Sequence, residues 1–143
     1  MQLELQGPFD LIVSADAFIH FDHAACVRRV AELLRPGGVF LLMTQNPSVW
    51  GRRSRLSRMP SSVRNAEPHE WPGKARLREL LAPAFEIERV ATIDPGGDQG
   101  ALFWVENRYI RGVMSRVIGR ARWRRWLERA GLGRELVIEA RRK

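Results

Sequence analysis

The chain has 143 residues, of which 45% are hydrophobic, as is typical of one soluble globular domain. It has no apolar run near the ~20 residues that cross a bilayer, no signal-peptide pattern in its first eight residues, and a single cysteine, Cys26, which excludes an intrachain disulfide or a cysteine-based zinc site. We therefore expect a cytoplasmic protein with no membrane partner and no metal.

The net charge is +8, and Lys occurs only at positions 74 and 143, so nearly all of the positive charge is arginine. Such a ratio is typical of GC-rich coding, and it is also typical of proteins that bind nucleic acid. The arginines are spread over several segments with few aromatic residues between them, so we favour the coding bias. A basic nucleic-acid-binding module around 120–129 remains an alternative.

The segment 9–47 predicts a strand, a helix and a second strand. The runs Phe9–Val13 and Val39–Met43 are apolar without clean alternation, as expected of strands covered on both faces. Between them, apolar residues at positions 27, 30, 31 and 34 form one helical stripe. Asp22 predicts the N-cap of this helix, and Arg35-Pro36-Gly37-Gly38 predicts its end. A connection of this length can join two parallel strands.

These residues carry a resemblance. The series Phe9-Asp10-Leu11-Ile12-Val13-Ser14, then Ala17-Phe18-Ile19-His20, then Leu33-Leu34-Arg35-Pro36-Gly37-Gly38, resembles the fourth strand, the next helix and the fifth strand of class I S-adenosylmethionine-dependent methyltransferases (small-molecule type, methyltransferase type 11/12-like). Only the later half of that family's fold is matched. The family's Gly-rich cofactor loop has no counterpart here, because Gly37-Gly38 and Gly96-Gly97 do not open helices as that loop does.

The resemblance implies an α/β, Rossmann-like partial sheet of three parallel strands and one antiparallel strand, with helices on both faces and the N-terminal strands missing. We expect residues 1–143 to form a single domain in which 48–73 is an insertion covering the substrate. The edge at Phe9–Ser14 would be unpaired, so we expect an upstream N-terminal half or a homodimer partner across it.

The resemblance also implies S-adenosyl-L-methionine as cofactor, approached by Ser14, Ala15 and Asp16 beyond the carboxyl end of the first strand. Asp16 could instead only tighten a turn. His20 is the candidate catalytic base, although packing near the helix start explains it as well. For substrate binding we predict Asn46, at the end of the second strand, together with three residues of the insertion, Trp50, His69 and Trp71.

The remaining chain predicts a helix over 74–81, a strand over 85–93, helices over 101–118 and 120–130, and a strand over 136–138. In helix 101–118, Leu102, Val105, Tyr109, Val113 and Val117 mark a broad apolar face. We favour core packing for this face over contact with a partner. In helix 120–130 we expect Trp123, Trp126 and Leu127 to face inward.

The function predicted by the resemblance is methyl transfer from S-adenosylmethionine to a nucleophile on a small molecule, with this chain an N-terminally truncated form. The alternative from another class is a non-catalytic remnant or partner subunit, which fits the missing glycine loop. We do not expect nucleic acid as a partner.

Overall fold

The computed structural model describes residues 5–50, 71–96 and 100–143, excluding the side chains of residues 50, 100, 101 and 103. Within these ranges the chain forms a four-stranded mixed sheet in the order β1-β2-β4-β3. The elements are β1 (Phe9–Ala15), a 3-10 helix (Phe18–His20), α1 (His23–Leu33), β2 (Leu34–Gln45), α2 (Pro47–Trp50), α3 (Lys74–Leu81), β3 (Phe85–Ile93), α4 (Gly100–Val105), α5 (Arg108–Val117), α6 (Arg120–Arg129) and β4 (Glu135–Arg142). The predicted α/β fold class is confirmed.

The chain divides into two compact units, which are described separately. The first contains Met1–Thr44, Pro72–Val90 and Val137–Lys143, and the second contains Gln45–Trp71 and Ala91–Leu136. The division does not follow the sequence, because each unit is assembled from separate stretches of chain.

In the first unit, β1 pairs with β2 in parallel, with Ile12 opposite Phe40 and Ser14 opposite Leu42. Helix α1 connects them as predicted. The Asp22 carboxylate accepts a hydrogen bond of 2.8 Å from the Ala25 amide and so caps the first turn. The buried residues of α1 are Val27, Val30 and Leu33. Leu34, predicted to continue this stripe, is instead the first residue of β2.

The predicted helix stop became part of a strand. Helix α1 ends at Leu33, but Arg35-Pro36-Gly37-Gly38 lies within β2, where the register with β1 shifts between Phe9 and Leu11. Gly37 has a φ of 77°, a left-handed conformation that glycine adopts without steric cost. The segment therefore ends the helix and forms an irregularity of the strand without an intervening loop.

Strand β4 lies between β2 and β3, where the resemblance places the antiparallel strand. The Lys143 amide donates to the Ala84 carbonyl in the first unit, and the Arg134 amide donates to the Asp94 carbonyl in the second. The residue numbers of the acceptors at the ends of β3 decrease as the residue numbers of the donors at the ends of β4 increase. Strand β4 therefore runs antiparallel to β3. Phe40 and Phe85, both buried, pack with ring centroids 5.8 Å apart in the core of the first unit.

The second unit corrects the predicted helix over 101–118. Two helices, α4 and α5, replace it. The break is at Asn107, whose backbone is extended and whose side-chain oxygen accepts from the Tyr109 and Ile110 amides, both at 3.0 Å. An asparagine that satisfies the free amides of a new first turn starts a helix at that position.

The prediction that this apolar face packs in the core is wrong for α5, which has no buried side chain. Of the residues on that face, Leu102 is buried in α4, while Tyr109, Val113 and Val117 are exposed. In α6, Trp123 and Leu127 are buried as predicted, but Trp126 is 54% exposed and stacks on Trp123 at 5.1 Å. Gly119, with a φ of 85°, precedes α6 and separates it from α5.

Candidate functional site

The candidate cofactor residues lie where β1 ends. Ser14 and Ala15 are the last two residues of β1 and are paired with Leu42 and Met43 of β2. The Asp16 amide then donates to the Met43 carbonyl at 3.1 Å, which extends the pairing by one bond past the strand end. In parallel α/β sheets the carboxyl ends of strands form the ligand-binding edge. The structure thus brings all three predicted cofactor residues together at such an edge.

Asp16 has a φ of 51°, in the left-handed region. Aspartate and asparagine are the non-glycine residues that most readily adopt this conformation, so the turn at Asp16 suits its side chain. Asp16 is exposed, as is Ala15, while Ser14 is half-buried. The turn that was predicted as an alternative role for Asp16 therefore exists, and it leaves the carboxylate accessible to a ligand.

His20 ends the 3-10 helix that follows this turn and is exposed. Its amide donates to the Ala17 carbonyl at 3.1 Å. The helix is anchored by Phe18, which is fully buried and stacks on the imidazole of His23 at 4.7 Å. Phe18 thus fixes the position of the 3-10 helix, and both roles considered for His20, packing and general base, stay predictions.

Thr44 is a buried polar residue near the carboxyl end of β2. Phe40, Leu42 and Thr44 alternate along the strand and are all fully buried. Among the described residues, the Thr44 hydroxyl oxygen has no hydrogen-bond partner. Leaving a buried hydroxyl unpaired costs free energy, so this oxygen is a point at which a ligand or water group could be held. The sequence analysis did not single out Thr44; its spacing of two and four residues from Leu42 and Phe40 is the signal that could have indicated its burial.

Asn46 requires a correction. It is fully buried, and its side-chain amide nitrogen donates to the carbonyls of Gly131 and Gly133 at 3.1 and 2.7 Å. Its side-chain oxygen accepts from the Ser48 amide at 3.2 Å. Both amide hydrogens are used within the second unit, which leaves this nitrogen no hydrogen for a substrate. Its geometry is that of a structural link between two loops of that unit.

The other substrate residues are only partly described. His69 lies outside the described residues, as does most of the predicted insertion over 48–73, and the Trp50 side chain is likewise outside them. The backbone of Trp50 ends the short helix α2, in which Val49 is buried. Trp71 is half-buried. Their roles in substrate binding stay predictions.

An apolar groove lies beside β1 in the first unit. Strand β1 is at the edge of the sheet, and its Leu11 and Val13 side chains are 54% and 55% exposed. The groove has a volume of about 530 Å³, and its lining includes Leu5, Phe9, Leu11, Phe21, Cys26 and Val30. Burial raises the pKa of the Cys26 thiol above its ordinary value, which suits the predicted packing role rather than a nucleophile.

The described residues contain neither a metal-binding cluster nor a membrane-spanning helix. Within 5–50, 71–96 and 100–143, no group of three or more His, Cys, Asp or Glu side chains could hold a metal ion. Over the same part of the chain, no helix is long and apolar enough to span a membrane.

The sequence matches no protein-family model and no curated protein. Solved structures do match. An S-adenosylmethionine-dependent methyltransferase from Mesorhizobium loti aligns with 96% of this chain at a TM-score of 0.54 and 20% identity. The cyclopropane synthase MmaA2 from Mycobacterium tuberculosis aligns with 98% at 0.52 and 21%. The mycolic acid cyclopropane synthase CmaA1, complexed with SAH and CTAB, aligns with 98% at 0.51 and 21%.

The chain spans 63% of the length of the Mesorhizobium structure and 57% of each synthase. Nearly all of this chain is therefore matched, while more than a third of each matched structure has no counterpart in it. At sequence identities this low, the structural match establishes a shared fold and nothing further. The chain has part of the fold of S-adenosylmethionine-dependent methyltransferases.

Proposed function

We propose that this chain is the later half of an S-adenosylmethionine-dependent methyltransferase domain that methylates a small molecule. The observation that carries the proposal is the shared fold, matched over 96% of the chain, with Ser14, Ala15 and Asp16 at the ligand-binding edge of the parallel strands. The matched synthase solved with SAH supports the choice of cofactor.

The residues at this edge fit one part of the cofactor. The exposed Asp16 carboxylate, held in a left-handed turn, would accept hydrogen bonds from the ammonium of the methionine moiety. The half-buried Ser14 hydroxyl can donate or accept beside it. When bound, the cofactor supplies a methyl group already activated by a positively charged sulfur, so the protein contributes chiefly position. His20, which is exposed and lies four residues after Asp16 in the sequence, would accept the proton that the substrate nucleophile loses.

An upstream half would complete the domain along β1. Among the described residues no strand pairs with the outer edge of β1, so this edge can offer backbone hydrogen bonds to another strand, and the adjoining apolar groove offers about 530 Å³ to the side chains of a covering segment. Leu11 and Val13 lie on the exposed side of β1 and would be buried by it. A second copy of this chain could occupy the same edge in place of an upstream half.

The substrate would be a small molecule bound by residues that follow β2. Trp50, His69 and Trp71 offer two indoles and an imidazole for this role. Asn46 is left out of this set because its amide is committed to the protein backbone.

Calorimetric titration of S-adenosylhomocysteine into this chain tests the proposal. We expect saturable one-to-one binding that weakens in Asp16→Asn, because asparagine keeps the left-handed turn and removes only the charge. The matched control is Asp10→Asn. Asp10 is an exposed aspartate on β1 that pairs with Arg35 at the other end of the strand.

Absence of binding by a folded chain has two explanations, and a second titration separates them. If an upstream half added in trans or by extension restores binding, the proposal holds for the complete domain. If the complete domain also fails to bind, the chain is a non-catalytic remnant or partner subunit and the proposal is wrong. Turnover of the complete domain unchanged by His20→Gln would remove His20 as the base.

A further inference from the structure

Helix α5 presents an apolar face to solvent. Its apolar side chains Tyr109, Ile110, Val113 and Val117 recur at a helical spacing and share one side of the helix. They are 69%, 40%, 57% and 72% exposed, and α5 has no buried side chain. Arg111 lies away from this side of the helix, whereas Arg108 and Arg116 border it next to Tyr109. An amphipathic helix ordinarily turns its apolar side inward, so an apolar side left uncovered by the described residues indicates a binding partner.

The same region holds most of the net positive charge of the chain. Residues 106–129 contain eight arginines and two glutamates, so they contribute +6 to the net charge of +8. Both glutamates are engaged inside the second unit. Glu106 accepts from the Trp123 indole at 2.7 Å, and Glu128 pairs with Arg124 at 3.0 Å. The outward-facing charge of α5 and α6 is therefore strongly positive.

The combination of residues identifies the partner. A nucleic acid would satisfy the arginines but offers little apolar surface to the aliphatic side chains of Val113 and Val117. An anionic bilayer accepts both, because the apolar side of a short amphipathic helix enters the boundary between headgroups and acyl chains while arginines reach the phosphates. The Arg108 guanidinium lies 4.7 Å from the centre of the Tyr109 ring, which places a cation beside an aromatic residue of the type that favours this boundary.

We propose that α5 docks the protein on an anionic membrane surface, with Tyr109, Val113 and Val117 in the boundary region and the arginines of α5 and α6 on lipid phosphates. The protein would lie on the bilayer without crossing it. This docking surface is independent of the proposed methyl transfer. It revises the expectation of no membrane partner, which rested on the absence of a spanning segment.

Co-sedimentation with vesicles of phosphatidylcholine and phosphatidylglycerol, compared with phosphatidylcholine alone, tests this proposal. We expect binding to the anionic vesicles that declines as salt rises. The double variant Val113→Gln/Val117→Gln should weaken it about tenfold or more, because two aliphatic side chains lose their burial. The matched control is Val13→Gln, since Val13 is 55% exposed and Val113 57%, yet Val13 lies on β1.

The charge is tested separately with Arg122→Gln/Arg125→Gln on α6. Each arginine near an anionic surface is worth about a fivefold change in partitioning, so the pair should weaken binding by about twenty-five-fold. Arg28→Gln/Arg89→Gln removes the same charge from exposed positions in the first unit and should have little effect.

Three results would overturn the proposal: no binding to anionic vesicles, equal losses in the matched controls, or α5 variants that bind as the unaltered chain does. Sedimentation velocity and duplex DNA titration identify what replaces it. Self-association abolished by Val113→Gln/Val117→Gln would make the face a contact between copies. Salt-sensitive DNA binding that needs Arg122 and Arg125 but not Val113 would make it a nucleic-acid surface.

Discussion

The link made by Asn46 gives a sharp test of how the second unit is held together. Replacing Asn46 with alanine removes the donors to the Gly131 and Gly133 carbonyls and the acceptor of the Ser48 amide. The contact with Gly133 is buried, whereas the other two are part-buried and can be partly rehydrated. A buried polar group left unpaired costs about 1–3 kcal/mol, so the free energy of unfolding should fall by about 2–4 kcal/mol.

The variant Asn46→Asp has the same shape and sharpens the test. It places a carboxylate oxygen where the amide nitrogen faced two carbonyl oxygens at 2.7 and 3.1 Å. Burial and these carbonyls raise the pKa of the introduced carboxyl above the ~3.9 of an unfolded aspartate. Between the unfolded pKa and the raised folded pKa, the folded state binds more protons than the unfolded state. The free energy of unfolding of this variant therefore falls as pH rises through that range. The deficit relative to the unaltered chain should be smallest below about pH 4.

Urea unfolding followed by circular dichroism measures both effects. The control is Asn107→Ala, which removes an exposed helix cap and should cost only about 1 kcal/mol. An Asn46→Ala chain within about 0.5 kcal/mol of the unaltered chain would refute the structural role. Asn46 would then be available again as a substrate-binding residue.

Three further predictions concern other parts of the chain. Gly133→Ala should be strongly destabilising, since the added Cβ would lie 2.5 Å from the Ile93 backbone. The Cβ of Gly112→Ala in α5 would meet nothing within 4 Å, so this variant should be more stable by about 0.5–1 kcal/mol, and thermal melts of both variants check the contrast. The Arg141 hydrogen bond and charge lower the pKa of Glu88 from its ordinary 4.5, so the stability that this pair contributes should be present above about pH 4.5 and lost on acidification; a pH series with Glu88→Gln that shows no such difference from the unaltered chain contradicts it. Cys26 should react with iodoacetamide more slowly than a free cysteine at pH 8, because burial raises the pKa of its thiol; equal rates measured by mass spectrometry would mean that the groove is open to water.

Local signals in the sequence were sufficient for most of the elements. Asp22 caps α1, and the strand over Phe85–Ile93 and the helix over Lys74–Leu81 have the predicted bounds. Each depends on neighbouring residues and backbone propensities, which are visible in a short window. The position of β4 within the sheet came from the resemblance, because the pairing of distant strands leaves no local pattern.

The failures involve residues whose surroundings decide their role. The apolar side of α5 has the period of a core helix, and periodicity cannot tell which way a helix faces. Asn107 breaks the predicted helix because a single side chain can cap a new first turn where propensity alone favours continuation. Asn46 looked like a polar residue at a strand end, whereas its partners lie more than eighty residues further along the chain.

The position of β4 also constrains the order of folding. Because β4 separates β2 from β3, neither neighbour can complete its hydrogen bonds until α4, α5 and α6 have been synthesised and β4 has entered between them. During translation, β1, α1 and β2 can pair early, while β3 remains with both edges open. Substitutions that weaken β4 should therefore reduce the yield of folded protein from the ribosome more than they reduce the stability of the purified chain.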